Sequence, residues 1–469
     1  MFDTPLRSLM MLVIVAIVLF AAAFTFEANK QVLYSRIDLK NDQEENALLV
    51  KLGRLEPEET FVEEQPMEVM EPADPETIVL WLHISGFRTD YLAQANPPFL
   101  SNSNYAAYSS KRLTPVFPTL SRPNLASQIT GLEVADHGIY ADSVRDSSTG
   151  EIVDYPTDPK YLKGEPIWAT AKGQGIRTLV HDWPFSQVQS GDKAADIFLS
   201  EFDPEATDEQ RLQKLYDAWM NDTGEEKLKL VMGCLYDIEK AAQTHGCRDD
   251  ATLEAVRLTD RHLKDFFDKV EDRFDTPKHQ EDELHIFITT DRGMADVKTK
   301  IEFVRLVPSI SDQISYALND SLALVWFNED AADKDALATA FDDAMSGQVY
   351  MQLFPPEEYQ AEWGLGEAKP DRVVQLQPGY IFTEDPGSEA VYPAEETNGP
   401  FAGAGYQVAA TSRMRGQMMY FRMPSFSGPN ELPEISPTQF PATICSLLEI
   451  QPAAGANTES ILPEAPPSE

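Results

Sequence analysis

The chain has 469 residues with 42% apolar and 10% aromatic content, which excludes global disorder and leaves room for a sizeable core. Lys and Arg number 38 against 77 Asp and Glu, a net charge of −39, and such a balance repels phosphate backbones and anionic headgroups and argues against nucleic acid as a partner. The three cysteines, Cys234, Cys247 and Cys445, are too few for a disulfide scaffold or a Cys-rich zinc module.

Residues 9–26 (LMMLVIVAIVLFAAAFTF) carry no charge, and as a helix they would cover about 27 Å, most of a bilayer core. Residues 1–28 are therefore expected to be a transmembrane helix, with the short N-terminal side cytoplasmic and the bulk of the chain extracytoplasmic. A signal peptide cleaved near Ala21-Ala22-Ala23, with the protein secreted, is the alternative. Residues 29–75 are polar and increasingly acidic, which predicts a stalk. Residues 461–469 read as a flexible tail.

The folded region is expected over 76–460. It opens with TIVLWLHI at 77–84, a continuous apolar run that suits a strand buried on both faces of a mostly parallel sheet. Similar runs recur at 228–236 and 284–290. Between them Val256, Leu263, Phe267, Val270 and Phe274 keep helical spacing. This alternation predicts an α/β fold, and in such sheets the residues to inspect follow the strands: Ser85, Tyr236 onward, and Asp291-Arg292. Cys234 and Cys247 are close enough in sequence to bridge, or each is an isolated buried thiol. Asn221 and Asn319 open glycosylation sequons if the chain enters a eukaryotic secretory pathway. Residues 308–367 carry no motif.

Several blocks carry more. SGFRTDYL at 85–92, TPVFPTLSRPNLASQITGLEVADHGIYAD at 114–142, GEPIWATAKGQG at 164–175, HDWPFSQ at 181–187, TTDRGMADV at 289–297 and GAGYQVAATSRMRG at 403–416 are similar, in order and spacing, to blocks of the type I phosphodiesterase / nucleotide pyrophosphatase family, within the alkaline phosphatase superfamily. The resemblance covers about residues 77 to 460 and implies an alkaline-phosphatase-like core of mostly parallel sheet flanked by helices. It also implies a two-zinc site held by three Asp and three His, in which a hydroxyl nucleophile attacks a phosphoric diester.

Carried over block by block, the nucleophile falls on Ser121 in PTLSRPN, at a helix start where free N–H groups favour phosphate; an N-cap is what Ser commonly provides there. The ligand positions fare worse. Ser85 stands for an Asp, Ala241 for an Asp, Arg292 for a His and Ala404 for a His, leaving His245 and Asp291 as remnant ligands. A guanidinium stays protonated and cannot ligate. The phosphate-contacting Asn becomes Asp142, an anion, and Arg292 is expected to pair with Asp291.

His83, His137 and His181 are the replacement ligands to weigh, each being also a plausible core or turn histidine, and Asp237 and Glu239 could offer oxygens to another metal. The expected function is thus a membrane-anchored relative with a degenerate zinc site, without cofactor and catalytically inactive, kept to bind a protein partner or a phosphate-containing ligand. The alternative is an active phosphodiesterase with Ser121 as nucleophile and a rebuilt site, holding zinc if ligands were recruited or using Arg292 as a phosphate clamp.

Overall fold

The computed structural model describes residues 75–101, 108–156, 158–187, 191–199, 202–274, 279, 282–362, 364–365, 368–423 and 430–462. The apolar run at 9–26, the stalk and most of the tail lie outside them. Among the described residues no helix is long and apolar enough to cross a membrane.

The elements that position the site are β1 (Thr77–Ile84), α1 (Ser121–Thr130), β2 (Arg177–His181), α2 (Asp208–Met220), β3 (Leu228–Leu235), α3 (Asp237–His245), α4 (Asp250–Phe274), β4 (Glu283–Thr289), β5 (Ile314–Asn319), β6 (Leu322–Phe327), β7 (Gly416–Met423) and α5 (Phe440–Leu447). The main sheet runs Asn430–Glu431, Tyr108–Leu113, β7, β4, β1, β3, β2, Ile197–Phe198. From β4 to Ile197–Phe198 all neighbours are parallel. On the other side β7 runs antiparallel to both β4 and Tyr108–Leu113.

The period of two along β1 explains its unbroken apolar sequence. Ile78, Leu80, Leu82 and Ile84 pack on one face with Leu212 and Leu215 of α2 and Val256, Leu263 and Phe267 of α4. Val79 and Trp81 pack on the other with Leu125 and Ile129 of α1 and Phe440 and Ile444 of α5. Each such buried side chain contributes about 1.5–3 kcal/mol over its exposed state. A polar substitution in β1 would therefore damage two layers of core together.

The stretch without a motif contributes three strands of a second, antiparallel sheet, which Arg372–Leu376 completes in the order β5, β6, Arg372–Leu376, Met351–Phe354. Leu337, Phe341 and Met345 of the helix Lys334–Met345 cover it. Its bearing on the site is one residue, Asp320, which sits in the β5–β6 turn with a left-handed backbone (φ 50°).

Two smaller readings are decided by the structure, the cysteines in favour of isolated buried thiols. The cysteines are free and buried, because the nine residues of α3 carry the chain about 13 Å between Cys234 and Cys247, beyond the reach of a disulfide. Asn319 is 3% exposed, and its amide exchanges hydrogen bonds with the Ser143 backbone (2.6 and 3.2 Å), so it presents no acceptor for a glycan.

Candidate active site

The parallel strands end at a common edge. His83 is level with Cys234 on one side and Thr289 on the other, so Ser85, Tyr236 and Asp291 emerge beside one another. The Ser85 N–H continues the ladder to Leu235 O (2.9 Å). Gly86 then turns the chain with φ 67°, where a Cβ would come within 2.7 Å of Met294 Sδ; only glycine suits that place. The turn aims the Gly86 N–H at Asp291 Oδ1 (3.1 Å) and the Phe87 N–H at Thr290 Oγ1 (3.2 Å).

Asp291 is fully buried. Ser121 Oγ donates to its Oδ2 (2.7 Å), and His83 Nε2 lies 3.6 Å from Oδ1. Burial alone would raise this carboxyl, but the Arg292 charge, helped by His83 and Ser121, holds it well below the usual range. Ser121 is the first residue of α1 and Leu120 is the cap, with no side-chain cap bond, so the hydroxyl is committed to Asp291 and not to the helix terminus. Asn124 Nδ2 donates to Leu120 O (2.8 Å) and closes the first turn of α1, and Gln128 Nε2 on Thr290 O (2.7 Å) ties the helix to the strand end.

Arg292 is 3% exposed, and its nearest partner is Glu239, Nη2 to Oε1 at 2.6 Å. The expected partner Asp291 stands farther off, 3.8 Å from Nε. Glu239 Oε2 accepts from Ser85 Oγ (2.5 Å). A continuous chain of contacts thus runs Ser85, Glu239, Arg292, Asp291, Ser121. Burial would lower the guanidinium, yet Glu239, Asp291, Asp142 and Asp320 together raise it above its ordinary value.

Two further carboxyls close the ring. Asp142 Oδ1 accepts the Arg122 N–H (2.7 Å), and burial pushes its carboxyl up against the pull of Arg292. Asp320 Oδ2 accepts the Ala404 N–H (2.8 Å); burial, then Asp142 and Glu239, push it up to about 6 against Arg292 and that hydrogen bond. Ser121, Asp142, Glu239, Arg292 and Asp320 line one cavity of about 520 Å³ with Tyr155 and Tyr236.

The remaining positions are placed differently. His245 is the exposed last residue of α3 and does not line the cavity, whereas Ala241 is half-buried and Ala404 fully buried. His137 is a turn histidine, its Nδ1 accepting the Ile139 N–H (3.1 Å) with Nε2 3.0 Å from Ser127 Oγ. His181 lies 3.6 Å from Asp182, whose other oxygen is held by Arg211. Asp237 Oδ2 accepts the Asp208 N–H (2.9 Å). Among the described residues no group of three or more His, Cys, Asp or Glu is arranged to hold a metal ion. The donor chemistry agrees: Ser85 is engaged as a donor, Ala241 and Ala404 offer nothing, and Arg292 has no lone pair. These residues do not fit a two-zinc centre.

Glu239 was visible in sequence only as a stray oxygen donor, and Asp320 was not visible at all. The signal for Glu239 was its place three residues after Tyr236, just beyond the carboxyl end of the strand neighbouring β1.

The model for type I phosphodiesterase / nucleotide pyrophosphatase matches residues 79–407. Human ectonucleotide pyrophosphatase/phosphodiesterase family member 1 is 26% identical over 213 residues, 43% of this chain and 23% of that protein. Human bis(5'-adenosyl)-triphosphatase ENPP4 is 28% identical over 224 residues, 46% of this chain and 47% of that protein. The chain spans less than half the length of these two relatives. The structure of human ectonucleotide pyrophosphatase / phosphodiesterase 5 superposes with a TM-score of 0.68 at 19% identity, covering 82% of this chain and 97% of that one. An inactive variant of the murine protein in complex with AMP gives 0.65 at 19%, covering 80% and 96%. At that identity the likeness establishes the fold.

Proposed function

This chain belongs to the type I phosphodiesterase / nucleotide pyrophosphatase family, and on that premise we propose that it is a catalytically inactive member, retained to bind a protein partner or a phosphate-containing ligand. The observation that carries the reading is Arg292, a buried guanidinium held by Glu239 at 2.6 Å where the family's chemistry calls for a zinc-ligating imidazole. A fixed cation on these carboxylates supplies the charge balance that metal would supply, without a site to activate a nucleophile.

The competing reading, metal-free hydrolysis by Ser121, is disfavoured by the same geometry. The carboxylate bonded to Ser121 is Asp291, held well below the usual range and so a weak base toward a hydroxyl. Arg292 already faces two carboxylates, and Asp142 and Asp320 place further acid where an anionic phosphate would lie. We place the protein on a single membrane segment at residues 9–26, with residues 76–460 extracytoplasmic; the support is the uncharged 18-residue run.

The test is zinc content by elemental analysis of the purified full-length chain, with hydrolysis of a nitrophenyl nucleotide ester measured with and without chelator. Absence of zinc and of turnover is expected. Stoichiometric zinc with chelator-sensitive turnover lost in Ser121→Ala would overturn the proposal, and chelator-insensitive turnover would establish the rebuilt hydrolase.

A further inference from the structure

The cavity beside Ser121, about 520 Å³, carries more acid than its own cations balance. Arg292 is shared by Glu239 at 2.6 Å and Asp291 at 3.8 Å, so that guanidinium is already matched twice. Asp142 and Asp320 are then surplus. Each is tied to the backbone through one oxygen, Asp142 Oδ1 to Arg122 N (2.7 Å) and Asp320 Oδ2 to Ala404 N (2.8 Å). Among the described residues the second oxygen of each has no hydrogen-bond partner. Both side chains are half-buried and line the cavity.

The other cations around the cavity are mostly committed. Arg211 is held by Asp182 and by the carbonyls of Asp203 (2.6 Å) and Ala206 (3.4 Å). Lys240 lies 3.5 Å from Glu205 and donates to Pro204 O (3.3 Å). Arg122 alone among the described cations that line the cavity has no carboxylate on its side chain, and its guanidinium lies over the rings of Tyr155 (5.8 Å) and Phe185 (5.6 Å). Against that one charge stand the carboxyls of Asp142, Asp320 and Asp237.

The walls are aromatic and open. Among the described residues four large hydrophobic side chains are exposed, and two of them, Tyr155 (59%) and Phe202 (45%), line this cavity. Phe202 packs edge-on against half-buried Tyr236, with ring centres 5.4 Å apart. Aromatic faces beside carboxyls suit an organic cation, since the rings attract the charge while the acids accept its N–H groups. A bare metal ion suits the place less. Direct ligation needs oxygens about 2.0–2.6 Å from the ion, and among the described residues no three His, Cys, Asp or Glu are so arranged. An ammonium spans more, reaching each carboxylate over about 2.7–2.9 Å, and a cavity of this volume can enclose its stem.

We infer that the cavity between Tyr155 and Phe202 binds a primary ammonium on an apolar stem, with its N–H groups on Asp142 and Asp320 and its stem along the aromatic walls. This names the ligand chemistry of the inactive, metal-free site proposed above and rests on that reading. A free amine or a lysine side chain of a protein partner carries this group, and 2-phenylethylamine and Nα-acetyl-lysine amide stand for the two sources.

Calorimetric titration of the full-length chain at pH 7.5 should show saturable binding of at least one of the two, the one that saturates naming the source. Its uncharged counterpart, 2-phenylethanol or the Nε-acetylated lysine amide, should bind at least tenfold more weakly, and affinity should fall as salt rises. Asp142→Asn with Asp320→Asn should weaken binding at least tenfold. Both amides keep an oxygen for the backbone N–H groups, and Asn tolerates the left-handed backbone of Asp320 (φ 50°), so the fold is retained. Arg122→Gln, which removes the opposing charge, should tighten binding, and Phe202→Ala, at an exposed position, should weaken it. Glu254→Gln, at an exposed acid of α4, should leave it unchanged. Zinc and turnover are measured on the same preparation. Zinc-free, inactive protein that binds neither amine at millimolar concentration, binds the uncharged counterpart equally, or ignores the Asp142 and Asp320 changes overturns this inference alone. Zinc-loaded, active protein overturns the reading beneath it as well.

Discussion

Arg292 and Glu239 meet at 2.6 Å with side chains 3% and 14% exposed, a nearly dry ion pair at the point where the parallel strands end. Removing one member of such a pair leaves a buried charge without its partner and costs about 3–5 kcal/mol. Asp291 remains near the guanidinium at 3.8 Å, so Glu239→Gln should fall at the lower end, about 3 kcal/mol by urea denaturation. Ser85→Ala, which removes one hydrogen bond to the same carboxylate, should cost about 1–2 kcal/mol. Equal small losses in both would mean that the pair is solvated and does not organise the site.

The Ser121 hydroxyl separates two readings of the start of α1. Bonded to Asp291 (2.7 Å), it should lose about 1.5–3 kcal/mol on Ser121→Ala, a figure that an N-cap could also produce. Ser121→Asp discriminates. A cap accepts Asp readily, whereas here a second carboxylate would face fully buried Asp291, and melting should drop much further than in the Ala variant. Wild-type stability in Ser121→Asp would restore the cap reading.

These residues also show where sequence was informative. Strand β1 was legible because burial on both faces forces an unbroken apolar run, and α4 because one face packs and the rest is wet, leaving a helical period. The residue types at the positions aligned with the family's ligands were legible because chemistry is written in residue type: Arg292 and Ala404 are what they are in any fold. The partner that Arg292 takes was not. The Tyr236 to His245 block keeps the family's separation, which aligns Ala241 and His245 with ligands, but α3 is a continuous helix. It points residue 239 into the cavity and leaves residue 245 about 9 Å farther along its axis. Asp320 was hidden for a different reason, since it arrives from another sheet through a turn.

Stability should fall as pH rises from about 4 toward neutrality, and Asp208 is the named cause. Its carboxylate is fully buried, accepts from Tyr236 N (2.8 Å), Asp237 N (3.2 Å) and Thr259 Oγ1 (2.8 Å), and is pushed up to about 7 by burial and by the Asp237 charge. Unfolded, the group ionises near 3.8. Between those values the folded chain holds a proton that the unfolded chain has released, so stability is full below about pH 4 and is lost as pH rises toward 7. Between pH 5 and 7 the loss should be about 2 kcal/mol, from about 1.4 kcal/mol per unit for one group. Asp208→Asn should flatten the profile by that amount in urea melts at pH 5, 6, 7 and 8, while the repulsion of the other acids acts on both proteins alike. Parallel profiles would remove Asp208 as the cause.

Gly293 fixes Arg292 from the other side. Its N–H donates to Met414 O (2.8 Å), and the chains approach so closely that a Cβ would lie 1.7 Å from Arg413 O and 3.0 Å from Arg415 O. Both obstacles are backbone, so the clash cannot be relieved by turning a side chain. Gly293→Ala should therefore cost about 3 kcal/mol. The loop that follows β4 must retreat, and with it the guanidinium one residue earlier. If that retreat breaks the contact with Glu239, the costs of Gly293→Ala and Glu239→Gln overlap, and the double variant should be about 1 kcal/mol or more less destabilised than the sum of the singles. Strict additivity would mean that Arg292 keeps Glu239 after Gly293 is displaced, and that the ion pair, not the close approach of the two loops, sets the guanidinium's position.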